Sequence, residues 1–297
     1  MQLTTTVIAI IAAAASSQAL PPRVQVPTQS TFANNAWGLN NMPASALNVT
    51  GRLVVIEDID GVSVTRVAAL KAQGHIVQCY FSVGTVETFR PDVQQNRAAW
   101  AAIQVPGPAD PDWGEFWIDV RKLDAIAVLM KPRFQRAKNM GCDAIEADNV
   151  DCYDSPYCRG RMQGVTTASV KTAQIAYNLW QLNTSHSLGL SLSLKNAADL
   201  LSNADLFASY DFAVNEQCFY YQECNLYKAF IASGRAVLNT EYDLQSVCAS
   251  ALAQGITTEQ CKGGNSAGLC QWSKSNNWKY CSAATVPLPA ITTTTAA

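Results

Sequence analysis

One stretch, Cys142-Asp143-Ala144-Ile145-Glu146-Ala147-Asp148-Asn149-Val150-Asp151, concentrates the side chains best suited to chemistry. Glu146, Asp148 and Asp151 crowd into six residues. Carboxylates that close repel unless they meet a cation or share protons. The stretch opens as a buried strand, and alternation puts Glu146 and Asp148 on one face, about 7 Å apart. Other predicted strands end in acids too: Asp58 and Asp60, Asp119, Glu216 and Glu241. Two acids on different strands are what glycoside hydrolysis needs, one to attack or stabilise the sugar cation and one to protonate the leaving oxygen. Tyr80, Trp113, Tyr242 and Trp272 are aromatics that could stack on sugar rings, although each alone is more often core. The competing reading of the stretch by itself is a solvated acidic loop.

The elements that position these acids alternate. Leu53–Asp60 reads as a strand, Val62–Gln73 as a helix stopped by Gly74, and Ile76–Phe81 as a second strand. Strands follow at Trp113–Val120, at the acidic stretch, at Leu188–Leu194, Asp211–Glu216, Ala236–Glu241 and Gly268–Trp272. Helices are expected at Leu123–Met140, kinked or broken by Pro132, at Thr166–His186, and in shorter pieces at Ala198–Ala204, Leu226–Ser233 and Leu244–Gln254. This predicts an α/β fold, a (β/α)8 TIM barrel in a single domain over residues 37–282, with all the strand-end acids around one mouth. A doubly wound sheet is the runner-up, but no GxGxxG is present.

The chain has 297 residues, 48% hydrophobic, and a net charge of −2, which disfavours nucleic acid as a partner. Residues 1–19 read as a secretory signal peptide: Val7–Ala15 is too short to span a bilayer, and Ser17-Gln18-Ala19 is a cleavage signal. Residues 20–36 read as an extended lead-in and 283–297 as a Thr/Pro-rich disordered tail. The expectation is a secreted, extracellular monomer, not bound to membrane. Ten cysteines fit that compartment. Cys152 and Cys158 can close one short loop, and Cys218 and Cys224 another. Cys248, Cys261, Cys270 and Cys281 can pair among themselves, and Cys79 and Cys142 read as buried thiols. His75 precedes a strand and His186 ends a helix, so neither reaches the mouth. That removes Ser-His-Asp chemistry and a His-ligated metal. No cofactor or metal is expected; an acid-only calcium site is the remaining alternative.

Six ordered blocks resemble glycoside hydrolase family 114, the endo-α-1,4-polygalactosaminidases. They are Cys79–Glu87 with Arg90-Pro91-Asp92, Gly114–Arg121, Glu146–Asp151, Gly189–Asn196, Phe212–Cys218 and Glu241-Tyr242. The resemblance implies a (β/α)8 barrel cleaving internal α-1,4 links in galactosamine-containing polysaccharide. It implies retention, with Asp148 as nucleophile and Glu216 as acid/base. Lys195 and Asn149 are then candidate stabilisers of Asp148. Asp58, Asp60, Asp119 and Glu146 are candidates to pair with substrate ammonium groups. Tyr80, Arg121, Asn215, Glu241, Tyr242 and Trp272 complete the expected substrate-binding set. The chain departs from the family motif where Ala147 replaces a proline and Cys152 a glycine, and an insertion bearing Cys152 and Cys158 follows. The alternatives are a barrel glycosidase on another α-linked polysaccharide, a catalytically dead carbohydrate-binding barrel, and a chitinase-like enzyme whose DxxDxDxE spacing is not met.

Overall fold

A computed structural model describes residues 22–27, 31–34, 53–242, 246–261 and 278–281. Its strands are β1 (Thr31–Asn34), β2 (Leu53–Asp58), β3 (Ile76–Ser82), β4 (Thr85–Val86), β5 (Phe116–Trp117), β6 (Ala144–Asp148), β7 (Ser191–Lys195), β8 (Phe212–Glu216), β9 (Val237–Glu241), β10 (Thr257–Cys261) and β11 (Trp278–Cys281). The α-helices are α1 (Val64–Ala72), α2 (Pro91–Gln95), α3 (Arg97–Ala102), α4 (Leu123–Met140), α5 (Thr167–Ser187), α6 (Ala204–Ser209), α7 (Lys228–Ala232) and α8 (Cys248–Gln254).

The main sheet runs β1-β2-β3-β6-β7-β8-β9-β10-β11. All its pairings are parallel except β10 with β11. Parallel neighbours need crossovers, and the helices supply them. The sheet is curled. Val54 and Ile56 of β2 share one apolar cluster with Phe212 and Val214 of β8 and Leu238 of β9. Strands so far apart in the sheet meet only across a concave interior. Gln78 Nε2 of β3 also reaches across to Ser193 Oγ of β7, 2.7 Å away. Among the described residues no pairing joins the two ends of the sheet.

The outer face of the sheet packs on the long helices. Phe81, Phe134 and Trp180 stack edge to face at 5.4 and 5.7 Å. Residues 22–27 lie across the N-terminal ends of the strands. Val26 is buried in the interior cluster, Ser191 Oγ donates to the Val24 carbonyl, and Arg23 pairs with Asp211 at 2.6 Å. His186 completes that pair of contacts, 3.0 Å from Asp211, well away from the mouth.

Several expectations are corrected. Trp113–Val120 is not a strand of the main sheet. Gly114 turns left-handed (φ +71°), and Phe116–Trp117 pairs antiparallel to β4 in a separate two-stranded sheet, with Ile118 in an isolated antiparallel bridge to Gln104. A short strand, β1, lies beside β2 within the stretch read as lead-in. Pro132 neither breaks α4 nor divides it. The carbonyl it leaves without a donor belongs to Val128, a residue 74% exposed, where water can serve. Cys79 and Cys142 form a disulfide instead of staying thiols. Disulfides also join Cys152–Cys158, Cys218–Cys224 and Cys248–Cys281. Gly268–Trp272, the expected eighth strand, lies outside the described residues together with Cys270, the signal segment and the tail; Thr257–Cys261 is the strand beside β9.

Candidate active site

The interior-facing residues of adjacent strands build the site. Ala144 of β6 lies in the interior cluster, so Glu146 and Asp148 point inward by alternation. The same parity turns Lys195 of β7 and Glu216 of β8 inward. The Lys195 ammonium stands among three carboxylates, 3.2 Å from Asp148 Oδ1, 3.3 Å from Glu216 Oε2 and 3.4 Å from Glu146 Oε1. Burial works against its charge, but Asp148, Glu216 and Glu146 outweigh burial and hold the lysine well above its ordinary value. Beneath it Glu146 is fully buried. Burial, opposed by Lys195 and reinforced by Asp148 and Glu216, pushes Glu146 up to about 7.

Each outer carboxylate has a phenol. Tyr80 OH donates to Asp148 Oδ2 at 3.0 Å, and Tyr242 OH donates to Glu216 Oε1. Burial first, then the facing carboxylates, raises both tyrosines well above their ordinary value, so both remain donors. Asn149 N donates to Asp148 Oδ1 at 2.9 Å. Asn196 holds Glu216 twice, donating to Oε2 at 3.2 Å and accepting from its backbone N–H at 2.8 Å.

The backbone steps into the left-handed region directly after each of these strands. Asn149 has φ 62°, Asn196 φ 49° and Gln217 φ 60°. Such conformations cost energy in non-glycine residues and gather at functional sites. Gly84 makes the first step possible, since a Cβ there would lie 1.6 Å from the Asn149 carbonyl oxygen.

The strand ends open into a cleft of about 750 Å³. Of the expected site residues, Tyr80, Asp148, Asn149, Lys195, Glu216 and Tyr242 line it. Glu146 lies under its floor. Asp58 and Asp60 do not line it; they bind Arg90 at 3.1 and 2.8 Å, and Asp60 also takes Arg136. Asp119 and Arg121 pair with each other at 2.7 Å on the displaced β5 segment, also off the cleft. Asn215 and Glu241 face the other side of the sheet, being out of phase with Glu216 and Tyr242. There Asn215 bonds Asn239 and Tyr227, while Glu241 accepts from Asn239 and from Phe219 N. Trp272 lies outside the described residues.

The cleft also gathers acids outside the expected set: Glu115, Asp151, Asp154, Asp199 and Glu223. Burial, then Glu87, with Asp148 behind, lifts Glu115 to about 7; burial and then Asp148 lift Asp151 to about 6. Burial, then Asp199 and Asp154, raises Glu223. Asp151 was visible in the sequence as the third acid of the stretch. Glu223 and Asp154 were visible only as members of the two disulfide loops. Among the described residues no group of three His, Cys, Asp or Glu is arranged to hold a metal, and no helix is long and apolar enough to cross a membrane.

A curled parallel sheet with paired carboxylates at its C-terminal rim is the arrangement glycoside hydrolases use. The chain belongs to glycoside-hydrolase family GH114, whose family model matches residues 12–285. No curated protein matches the chain. Among solved structures it is similar to Aspergillus fumigatus Ega3 in complex with galactosamine, at 23% identity and TM-score 0.64, covering 88% of this chain and 98% of that one. It is also similar to the glycoside hydrolase domain of PelA from Pseudomonas aeruginosa, at 15% identity and TM-score 0.61, covering 83% and 97%.

Proposed function

We propose that the protein is a secreted endo-hydrolase of α-1,4-linked galactosamine polysaccharide, acting with retention on a sheet that closes as a (β/α)8 barrel. The observation that carries the reading is the ammonium of Lys195 between Asp148 and Glu216. Two oxygens lying 3.2 and 3.3 Å from one nitrogen are at most 6.5 Å apart. That ceiling only reaches the lower edge of the room an inverting enzyme leaves for water, roughly 6.5–9.5 Å, and is compatible with the about 5–5.5 Å of a retaining pair.

In this mechanism Asp148 attacks the anomeric carbon while Glu216 gives its proton to the leaving O4. The C1–O4 bond breaks and a C1–Oδ ester forms. Glu216 then takes a proton from water, the water oxygen attacks C1, and the ester releases Asp148. Tyr80 and Asn149 aim the nucleophile; Tyr242 and Asn196 aim the acid. Lys195 balances the charge that the pair would otherwise hold unscreened. Galactosamine as the sugar is supported by the family, by the galactosamine bound in Ega3, and by the acid-rich cleft, whose lysine is already committed to carboxylates. Four disulfides among the described residues support an oxidising, extracellular compartment.

The test is product analysis on deacetylated and N-acetylated galactosaminogalactan, with anomeric NMR of the first product. Wild type should release oligosaccharides of retained configuration, mainly from the deacetylated polymer. Asp148→Asn and Glu216→Gln should release none. Inverted product would remove the retaining pair; cleavage of another α-glycan with galactosamine polymer untouched would change the substrate.

A further inference from the structure

The hydrolytic steps leave one part of the cleft wall without a role. Trp113 is 63% exposed and lines the cleft, and Glu115 lines it two residues later. One tight turn delivers both. Asp110 N donates to Glu115 O at 2.7 Å and Gly114 N to Asp110 O at 2.8 Å. The Asp110 carboxylate accepts from Asp112 N and from the Trp117 indole, which ties the turn to the core. A large aromatic face held in water on a fixed turn is a costly arrangement unless something covers it.

Glu115 is placed near the nucleophile. Its Oε2 accepts from Thr85 Oγ1 at 2.6 Å, Thr85 Oγ1 accepts from Asn149 Nδ2 at 3.2 Å, and Asn149 N donates to Asp148. Among the described residues no ion pair reaches Glu115; burial, then the Glu87 carboxylate, raises its proton affinity, and a cation brought to it would favour the charged form.

We propose that Trp113 and Glu115 form an amino-sugar subsite on the Asp148 side of the cleft. The indole face takes the C–H face of a hexosamine ring, and the Glu115 carboxylate receives that ring's ammonium. The proposal rests on the galactosamine reading above and names where in the cleft the amine is sensed. Glu115 thereby acts as a specificity-determining residue, and Trp113 as a platform indifferent to the amine.

The test compares wild type, Glu115→Gln and Trp113→Ala on defined deacetylated and N-acetylated galactosamine oligosaccharides. The glutamine keeps an oxygen for the Thr85 hydroxyl, and Trp113 is exposed, so both variants should fold as wild type does. Glu115→Gln should raise KM for the deacetylated oligosaccharide about tenfold or more, with the loss in KM and not in kcat, and leave KM for the acetylated one in place. Trp113→Ala should raise KM for both by a similar factor. A deacetylated-to-acetylated preference unchanged in Glu115→Gln, with wild type active, would overturn the subsite alone. Wild type inactive on every galactosamine oligosaccharide would overturn the parent reading and the subsite with it.

Discussion

Lys195 is the residue on which the cluster turns. Replacing it with methionine leaves three inward carboxylates without their ammonium, and breaking a buried pair on one side costs about 3–5 kcal/mol. Lys195→Met should therefore lower the melting temperature and reduce kcat roughly a hundredfold, about 2.7 kcal/mol; steady-state rates beside calorimetry check both. Tyr80→Phe and Tyr242→Phe each remove one donor to a carboxylate, and each should cost about tenfold in kcat, following roughly 1.5 kcal/mol for such a bond. At this scale the sequence was half legible. Acids at strand ends put Asp148 and Glu216 at the cleft, and the lysine after a serine-leucine strand put Lys195 there, where the structure has them. Asn215 and Glu241 were placed wrongly because each adjoins a true inward residue, and alternation allows only one of two neighbours to face in. Asp58 and Asp60 could not be sorted, because Arg90, which binds them, lies some 30 residues downstream in the chain and no local pattern links the three.

The helix–strand alternation was legible from Leu53 to Glu241, since buried parallel strands read as short apolar runs and their crossover helices as 3.6-residue periods. Trp113–Val120 was misread: its aromatic content resembles a strand, but Gly114 ends any extended run. The left-handed steps after β6, β7 and β8 were only faintly legible: asparagine tolerates positive φ better than most residues, which hinted at Asn149 and Asn196, but nothing local marked Gln217. Gly84→Ala tests the first of them. The added methyl meets backbone, so the Asn149 turn must move, and both melting temperature and kcat should drop; an unchanged enzyme would mean that the turn is freely adjustable. The loops behind β8 and β9 give a second test. Cys218–Cys224 is stapled six residues apart and seated on Asn239 and Glu241 through Cys218 N and Phe219 N. The double variant Cys218→Ser/Cys224→Ser should lose activity over a range of urea in which the far-UV dichroism is still native.

For the molecule as a whole, proton balance sets the pH at which it is most stable. Glu146 and Glu115, ordinarily near 4.5, hold their protons to about 7, and Asp151, ordinarily near 3.8, to about 6. The folded state therefore binds more protons than the unfolded state between those values. Their stabilising share is whole below the unfolded pKa and is lost as pH rises through 6 to 7. Each tenfold gain in proton affinity on folding is worth about 1.4 kcal/mol before solvent screening. Asp60 and Asp119 act oppositely: against the cost of burial, Arg90 with Arg136, and Arg121, hold them below their ordinary value, so their share is lost as pH falls below about 3.8. The melting temperature should be higher at pH 5 than at pH 8, and Glu146→Gln should shrink the difference; a profile rising to pH 8 would contradict the assignment of these protons. Residues 22–27 bear on the same balance. Val26 sits in one interior cluster with Ala144, the residue that shares the inward face of β6 with Glu146. The concave interior of the sheet thus has a floor as well as a mouth, and this short segment is its insulation. A chain trimmed to begin at residue 28 would be wet from below, Glu146 would find water for its charge, and the reservoir of protons beneath Asp148 and Glu216 would drain toward that of an ordinary acid.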